Sequence, residues 1–177
     1  AVVNGAWSSQ GSSLVVLPGA LSDGVYTVSV YPVDVMGNSG ALSFSFTLDA
    51  AVPAAQSLVM SPTSPHKAEN ATFVVTFSED MSATVQPVLS FSRCLLCDTF
   101  AVPSGTWTTG KTWQGAYLFS ANNGDGSYSI KITGAKDKAG NVMTDKSLPD
   151  AFVLDTTAPP APGLDPVTTP TNVRNQL

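Results

Sequence analysis

Four carboxylates, Asp49, Glu79, Asp80 and Asp137, carry the chemistry that this sequence offers most readily. Carboxylate oxygens are hard ligands, and several meeting at one point would suit calcium, which takes six to eight oxygens at about 2.3–2.6 Å. A competing reading assigns the aspartates to turns. Asp34 and Asp137 each open an Asp-x-x-Gly-Asn stretch, and an aspartate there can hydrogen-bond the backbone of its own turn. Ala50 and Ala51, which follow Asp49, add no side-chain oxygen, and this weighs against calcium.

The remaining reactive side chains support less. His66 is the one histidine of the chain, so any Ser-His or Cys-His nucleophile would have to use it. In Ser-Pro-His-Lys it reads as a solvated loop residue. Glu69 and Glu79 are the only glutamates, and a carboxylate pair for glycoside hydrolysis would have to draw on turn aspartates. The expectation is that the chain is not an enzyme. Cys94 and Cys97 form a Cys-x-x-Cys, but zinc would need two further ligands that one histidine does not provide. Thioredoxin-like chemistry needs such a pair to open a helix in an α/β pattern, which is absent. A local disulfide in an oxidising compartment is the plainer reading.

Trp107, Trp113 and Tyr117 would serve as a sugar-binding platform if exposed, or as core if they alternate inward on strands. Asn70-Ala-Thr is a glycosylation sequon, which argues for an exposed edge.

Composition narrows the partners. Hydrophobic residues are 43% of the chain, enough for a core, while charged residues are only 12%, so Ser, Thr, Asn and Gly must build the surface. The eight Lys and Arg are spread out, and with a net charge of −5 nothing gathers to hold a phosphate backbone. Nucleic acid is an unsuitable partner. The sequence contains no apolar run of about 18 residues, so no membrane insertion is expected within it. Ala1 starts inside the pattern, which leaves room for a targeting segment upstream.

The elements that must position these residues come in two copies. Asp23-Gly-Val-Tyr26 is followed by Asp34-Val-Met-Gly-Asn38 and Leu48-Asp49-Ala-Ala-Val-Pro53. Asp125-Gly-Ser-Tyr128, Asp137-Lys-Ala-Gly-Asn141 and Leu154-Asp155-Thr-Thr-Ala-Pro159 repeat the order. The copies are roughly 100 residues apart, one domain rather than one solenoid turn. In the first copy Tyr26, Val28, Val30 and Leu42, Phe44, Phe46, Leu48 alternate with polar residues, which predicts a hairpin. Leu14–Leu17 reads as a short buried strand before it.

After a linker at 50–56, strands are expected at Leu58–Met60, Ala71–Phe77, Val85–Phe91, Thr99–Val102, Thr106–Thr108, Trp113–Phe119, Tyr128–Ile132 and Phe152–Leu154. Pro87 assigns Val85–Phe91 to an edge. No stretch shows a useful helical period. Many short strands with turn signals between them make an antiparallel sandwich. In a sandwich, the turns Ser78–Met81 and Lys136–Asn141 lie at the end where the chain enters, beside the linker that carries Asp49. That geometry predicts the meeting of Asp49, Glu79, Asp80 and Asp137.

Asp-Gly-x-Tyr, Asp-x-x-Gly-Asn and Leu-Asp-x-x-x-Pro in this order resemble the bacterial Ig-like repeats of large surface adhesins. Val75-Thr-Phe-Ser-Glu-Asp-Met81 is similar to Ig-like modules of S-layer and other cell-wall proteins. The resemblance covers about residues 14–160 and implies tandem Ig-like antiparallel β-sandwich modules, one complete and flanked by partial ones. The divisions are 1–49 for the C-terminal part of one module, 50–56 a linker and 57–155 the complete module. A Pro-rich linker follows at 156–163, then the first strand of a further module at 164–177. It places Tyr26 and Tyr128 where a tyrosine corner would stand.

It further implies a stalk or spacer of an extracellular or cell-surface filament, in some relatives with calcium between modules. Neighbouring modules of the same or an adjacent chain would be the partners. The alternatives are a glycan- or protein-binding module and an accessory domain of a secreted multidomain enzyme. Two features depart from the pattern: Ala50-Ala51 after Asp49, and the Cys94/Cys97 pair.

Overall fold

The computed structural model describes residues 6–7, 14–15, 21–94, 97 and 99–164. Among the described residues, twelve strands make four antiparallel sheets. Strands β1 (Ala6–Trp7) and β2 (Leu14–Val15) pair, which covers the first half of the expected Leu14–Leu17 strand. Strands β3 (Gly24–Val30) and β4 (Leu42–Leu48) form the predicted hairpin, with Tyr26 opposite Phe46 and Val28 opposite Phe44. Its other face is polar: the Thr27 and Ser45 hydroxyls, and those of Ser29 and Ser43, hydrogen-bond across the strands at 2.8 Å.

Residues 55–154 fold into an all-β sandwich. One sheet runs β5 (Ala55–Ser61), β6 (Asn70–Phe77), β10 (Thr112–Leu118), β9 (Gly105–Trp107). The other runs β12 (Lys146–Leu154), β11 (Gly126–Thr133), β7 (Val88–Ser92), β8 (Thr99–Ala101). This is the immunoglobulin order: first, second, fifth and fourth strands in one sheet, third, sixth and seventh in the other, with β8 added beside the third. The expected tail strand at 164–177 lies outside the described residues except for Leu164.

Alternation builds the core. On β6, Ala71, Phe73, Val75 and Phe77 are buried while Thr72, Val74 and Thr76 face outward. Phe91 on β7 is the hub, with ring centroids 4.9 Å from Tyr117, 5.6 Å from Phe119 and Phe152, and 5.7 Å from Tyr128. Edge-to-face contacts of this kind add about 0.5–1.5 kcal/mol each beyond the area they bury.

Two expectations need correction. Strand β7 is not an edge strand, because β11 and β8 flank it. Pro87 stands just before Val88, where the missing N–H breaks no ladder. A short 3-10 turn, Ala121–Asn123, lies between β10 and β11. His66 is not solvated: it is 1% exposed, with its ring 5.3 Å from Phe119 and 5.7 Å from Phe152. Its backbone N–H donates to Val153 O, and its carbonyl accepts from Asp155 N–H, both at 2.8 Å. Those two bonds fasten the loop after β5 onto the end of β12, and they draw the imidazole inside with it.

Candidate metal centre at the linker junction

The Asp137–Asn141 turn is the rigid floor of the site. Gly140 sits at φ 100°, a left-handed conformation that a side chain would strain. Asp137 Oδ1 accepts from the N–H groups of Gly140 (2.6 Å) and Asn141 (2.9 Å), and Oδ2 accepts from Asn141 Nδ2 at 2.7 Å. The first copy keeps the bonds from the asparagine and changes the third: Asp34 Oδ1 accepts from Asn38 N–H and from Met36 N–H in place of the glycine, and Oδ2 from Asn38 Nδ2 at 2.7 Å. The turn reading of Asp34 and Asp137 is thus realised in both copies.

Two loops meet there as the sandwich topology requires. Met81 and Asp137 form an antiparallel bridge, and Ser82 N–H donates to Lys136 O at 2.8 Å. The linker joins them when Asn141 Nδ2 donates its second proton to Asp49 O at 3.0 Å. One carboxylate oxygen each from Asp49, Glu79 and Asp137 then lies within 4.8 Å of the others. Asp49 and Glu79 are half-buried and Asp137 is buried.

Asp80 does not join them. Its carboxylate turns the other way to pair with Lys138 Nζ at 2.7 Å, and that bond and charge hold its carboxyl below the ordinary value. Glu79 and Asp80, adjacent in the turn after β6, therefore do not serve one centre together.

The crowding shows in the protonation. Burial first, and then the charges of Asp49 and Asp137, push the Glu79 carboxyl up; Lys111 opposes and Asp23 adds to it. Burial alone would also raise Asp137, but hydrogen bonds from Asn141 and Gly140 outweigh it and hold that carboxyl low. Asp23 is the contributor that the sequence reading passed over. Asp-Gly-x-Tyr was legible as a turn, but nothing in it tells that Asp23 Oδ1 accepts the linker's Ala50 N–H at 2.8 Å.

Three carboxylates brought together are the donor type that a hard cation takes. Any two oxygens no more than 4.8 Å apart can share one ion with bonds of about 2.4 Å, and three at that full spacing would have to draw closer together to do so. A carboxylate has about four lone-pair sites, and the three hydrogen bonds on Asp137 leave it one to give. Water would have to complete a shell of six to eight.

The other candidate residues are placed as follows. Cys94 and Cys97 are joined by a disulfide, with Cα atoms 5.1 Å apart. Asn70 is exposed at the start of β6. The aromatic platform does not form. Trp113 is 1% exposed, and Trp107, opposite it in the ladder, rests 5.4 Å from Phe77. Tyr117 stands edge-on to Phe91 and its hydroxyl accepts from Asn123 Nδ2 at 2.9 Å. All three share the inward parity, so alternation makes them core. Trp113 donates its Nε1–H to Gln86 Oε1, and its indole lies over Gly105 and Gly115, where an added Cβ would come within 2.2 and 2.4 Å of the ring.

Both expected tyrosine corners are present. Tyr26 donates to Ser22 O at 2.6 Å, and Tyr128 to Gly124 O at 2.7 Å and to Asn123 O. No protein-family model matches the chain, and no curated protein matches it.

Proposed function

We propose that this chain is a piece of a tandem array of β-sandwich units that serves as a stalk or spacer of an extracellular or cell-surface filament, in the manner of bacterial Ig-like repeats. One observation carries the reading: the hairpin β3–β4 and the hairpin β11–β12 repeat each other in strand pairing, tyrosine corner and Asp-to-Asn turn. Tyr26 stacks on Phe46 and Tyr128 on Phe152, at 5.6 and 5.1 Å. The two Asp-to-Asn turns share the bonds from the asparagine to the aspartate, and each hairpin runs into an Asp-led linker. A repeat that keeps its turn chemistry and varies its surface suits a load-bearing spacer.

Calcium at Asp49, Glu79 and Asp137 would neutralise the carboxylates and tie the linker to the sandwich. Neighbouring units of the same or an adjacent chain are the natural partners. The Cys94–Cys97 disulfide and a surface built from Ser, Thr and Asn support an oxidising, external location. A glycan platform at Trp107, Trp113 and Tyr117 finds no support, since these side chains are in or against the core.

The test is a calcium titration of the chain, reading thermal melting and small-angle scattering together. A ligand bound only by the native state raises stability by mass action, about 2.7 kcal/mol at a hundredfold excess over Kd. A higher melting temperature with a longer, stiffer particle supports the reading. No movement of either at several millimolar calcium removes the metal from it.

A further inference from the structure

The chain holds two linkers that leave equivalent hairpins, and they are fastened differently. At the second, Asp125 gathers three donors: Thr156 N–H and Thr156 Oγ1–H at 2.7 Å on Oδ1, and Thr157 Oγ1–H at 2.5 Å on Oδ2. At the first, Ala50 and Ala51 occupy the threonine positions, and among the described residues Asp23, the counterpart of Asp125, receives only the Ala50 N–H at 2.8 Å. Both ends of that linker are held by the sandwich. Asn141 Nδ2 binds Asp49 O, Thr144 N–H binds Pro53 O at 3.1 Å, and Ala54 exchanges bonds with Ser78 at 2.9 and 3.0 Å. Between these anchors Ala50, Ala51 and Val52 are exposed.

We infer that Ala50–Val52 is the built-in joint of the chain, and that Asp125 with Thr156 and Thr157 is a hydroxyl lock that immobilises the second linker without a cation. Among the described residues, rotation at the first linker gives up two hydrogen bonds, Ala50 N–H to Asp23 and Asn141 Nδ2 to Asp49 O, whereas the same rotation at the second gives up three. Threonine also restricts its own backbone through its branched Cβ, and alanine does not. The joint is where a cation could act, because Asp23 and Asp49 flank it and Glu79 and Asp137 face it. The lock needs no such help. The inference stands on hydrogen bonds within the chain and holds whether or not calcium binds.

The experiment is backbone 15N relaxation on the whole chain in EDTA. Order parameters below about 0.6 are expected at Ala51 and Val52, and about 0.85 at Thr156 and Thr157. The double variant A50T/A51T copies the lock onto Asp23 and should bring residues 51–52 to the rigid value, and adding D23N should return them to the mobile one. D125N should loosen 156–157 alone. Equal rigidity of the two linkers in EDTA overturns the inference, as does stiffening by A50T/A51T that survives D23N. A failure of calcium to bind changes none of these values, so the two proposals fail separately.

Discussion

Replacing Glu79 with Gln should reverse its sign with the metal. Glu79 has Asp49 and Asp137 oxygens within 4.8 Å. Two like charges at that distance repel by about 0.9 kcal/mol in a water-like dielectric. Two such neighbours, partly offset by the loss of attraction to Lys111, leave a net relief of about 1 kcal/mol when the charge is removed. In EDTA, Glu79→Gln should therefore melt higher than the parent, by roughly 4–8 °C for a domain of this size. In saturating calcium the order should invert, since the variant keeps two of three anionic ligands and a tenfold loss of affinity is worth about 1.4 kcal/mol.

Acid provides a third arm. The carboxyl of Glu79 is raised in the folded state, so the folded chain holds its proton more tightly than the unfolded one. Its destabilising contribution is present above the raised value and disappears as the pH falls through it. The EDTA advantage of the variant should shrink in step. Differential scanning calorimetry with EDTA or calcium, at neutral and acid pH, reads all three. A variant that melts at or below the parent in EDTA at neutral pH refutes the electrostatic reasoning, whatever calcium does.

Three further outcomes follow from the packing and the hydrogen bonds. Gly115→Ala puts a Cβ 2.4 Å from the Trp113 ring and 2.8 Å from Val102 Cγ1. Overpacking of this kind costs about 1–3 kcal/mol, and urea denaturation should show it together with an altered near-ultraviolet tryptophan signal. Tyr128→Phe removes the hydroxyl that two buried-side carbonyls share, for a loss of about 1–1.5 kcal/mol by chemical denaturation; the matching Tyr26→Phe, in the exposed hairpin, should cost less. The Asp125 carboxyl is pulled down to about 2 by Thr157 and Thr156. A depressed folded-state value means that its contribution is present above the unfolded value of about 3.9 and lost as the pH falls through about 2. A carboxyl 13C titration by NMR should place its midpoint there, and Thr157→Val should move it upward.

What could be read from the chain follows the range of the interactions. The alternation of Ala71, Phe73, Val75 and Phe77 specifies a strand and its buried face, because successive side chains of an extended segment point to opposite sides. The Gly-Asn turns are equally local: Asp137 satisfies the backbone three and four residues on, and the residues that do so adjoin it in the sequence. The repeat extended that legibility, since two copies of one pattern demand two copies of one hairpin.

The sequence by itself therefore determined the all-β class, the two hairpins, their tyrosine corners, and which end of the sandwich would gather acid groups. Tertiary structure decided which carboxylates gather. Asp49, Glu79 and Asp137 come from three segments that no local rule connects, and Asp80 left the group because Lys138, distant in sequence, stood on its other side. It also decided that His66 would be buried, since two backbone bonds to the end of β12 set the position of its loop. Local patterns report the direction a side chain takes from its own backbone. What waits for it there is supplied by residues that only the folded sheets bring close.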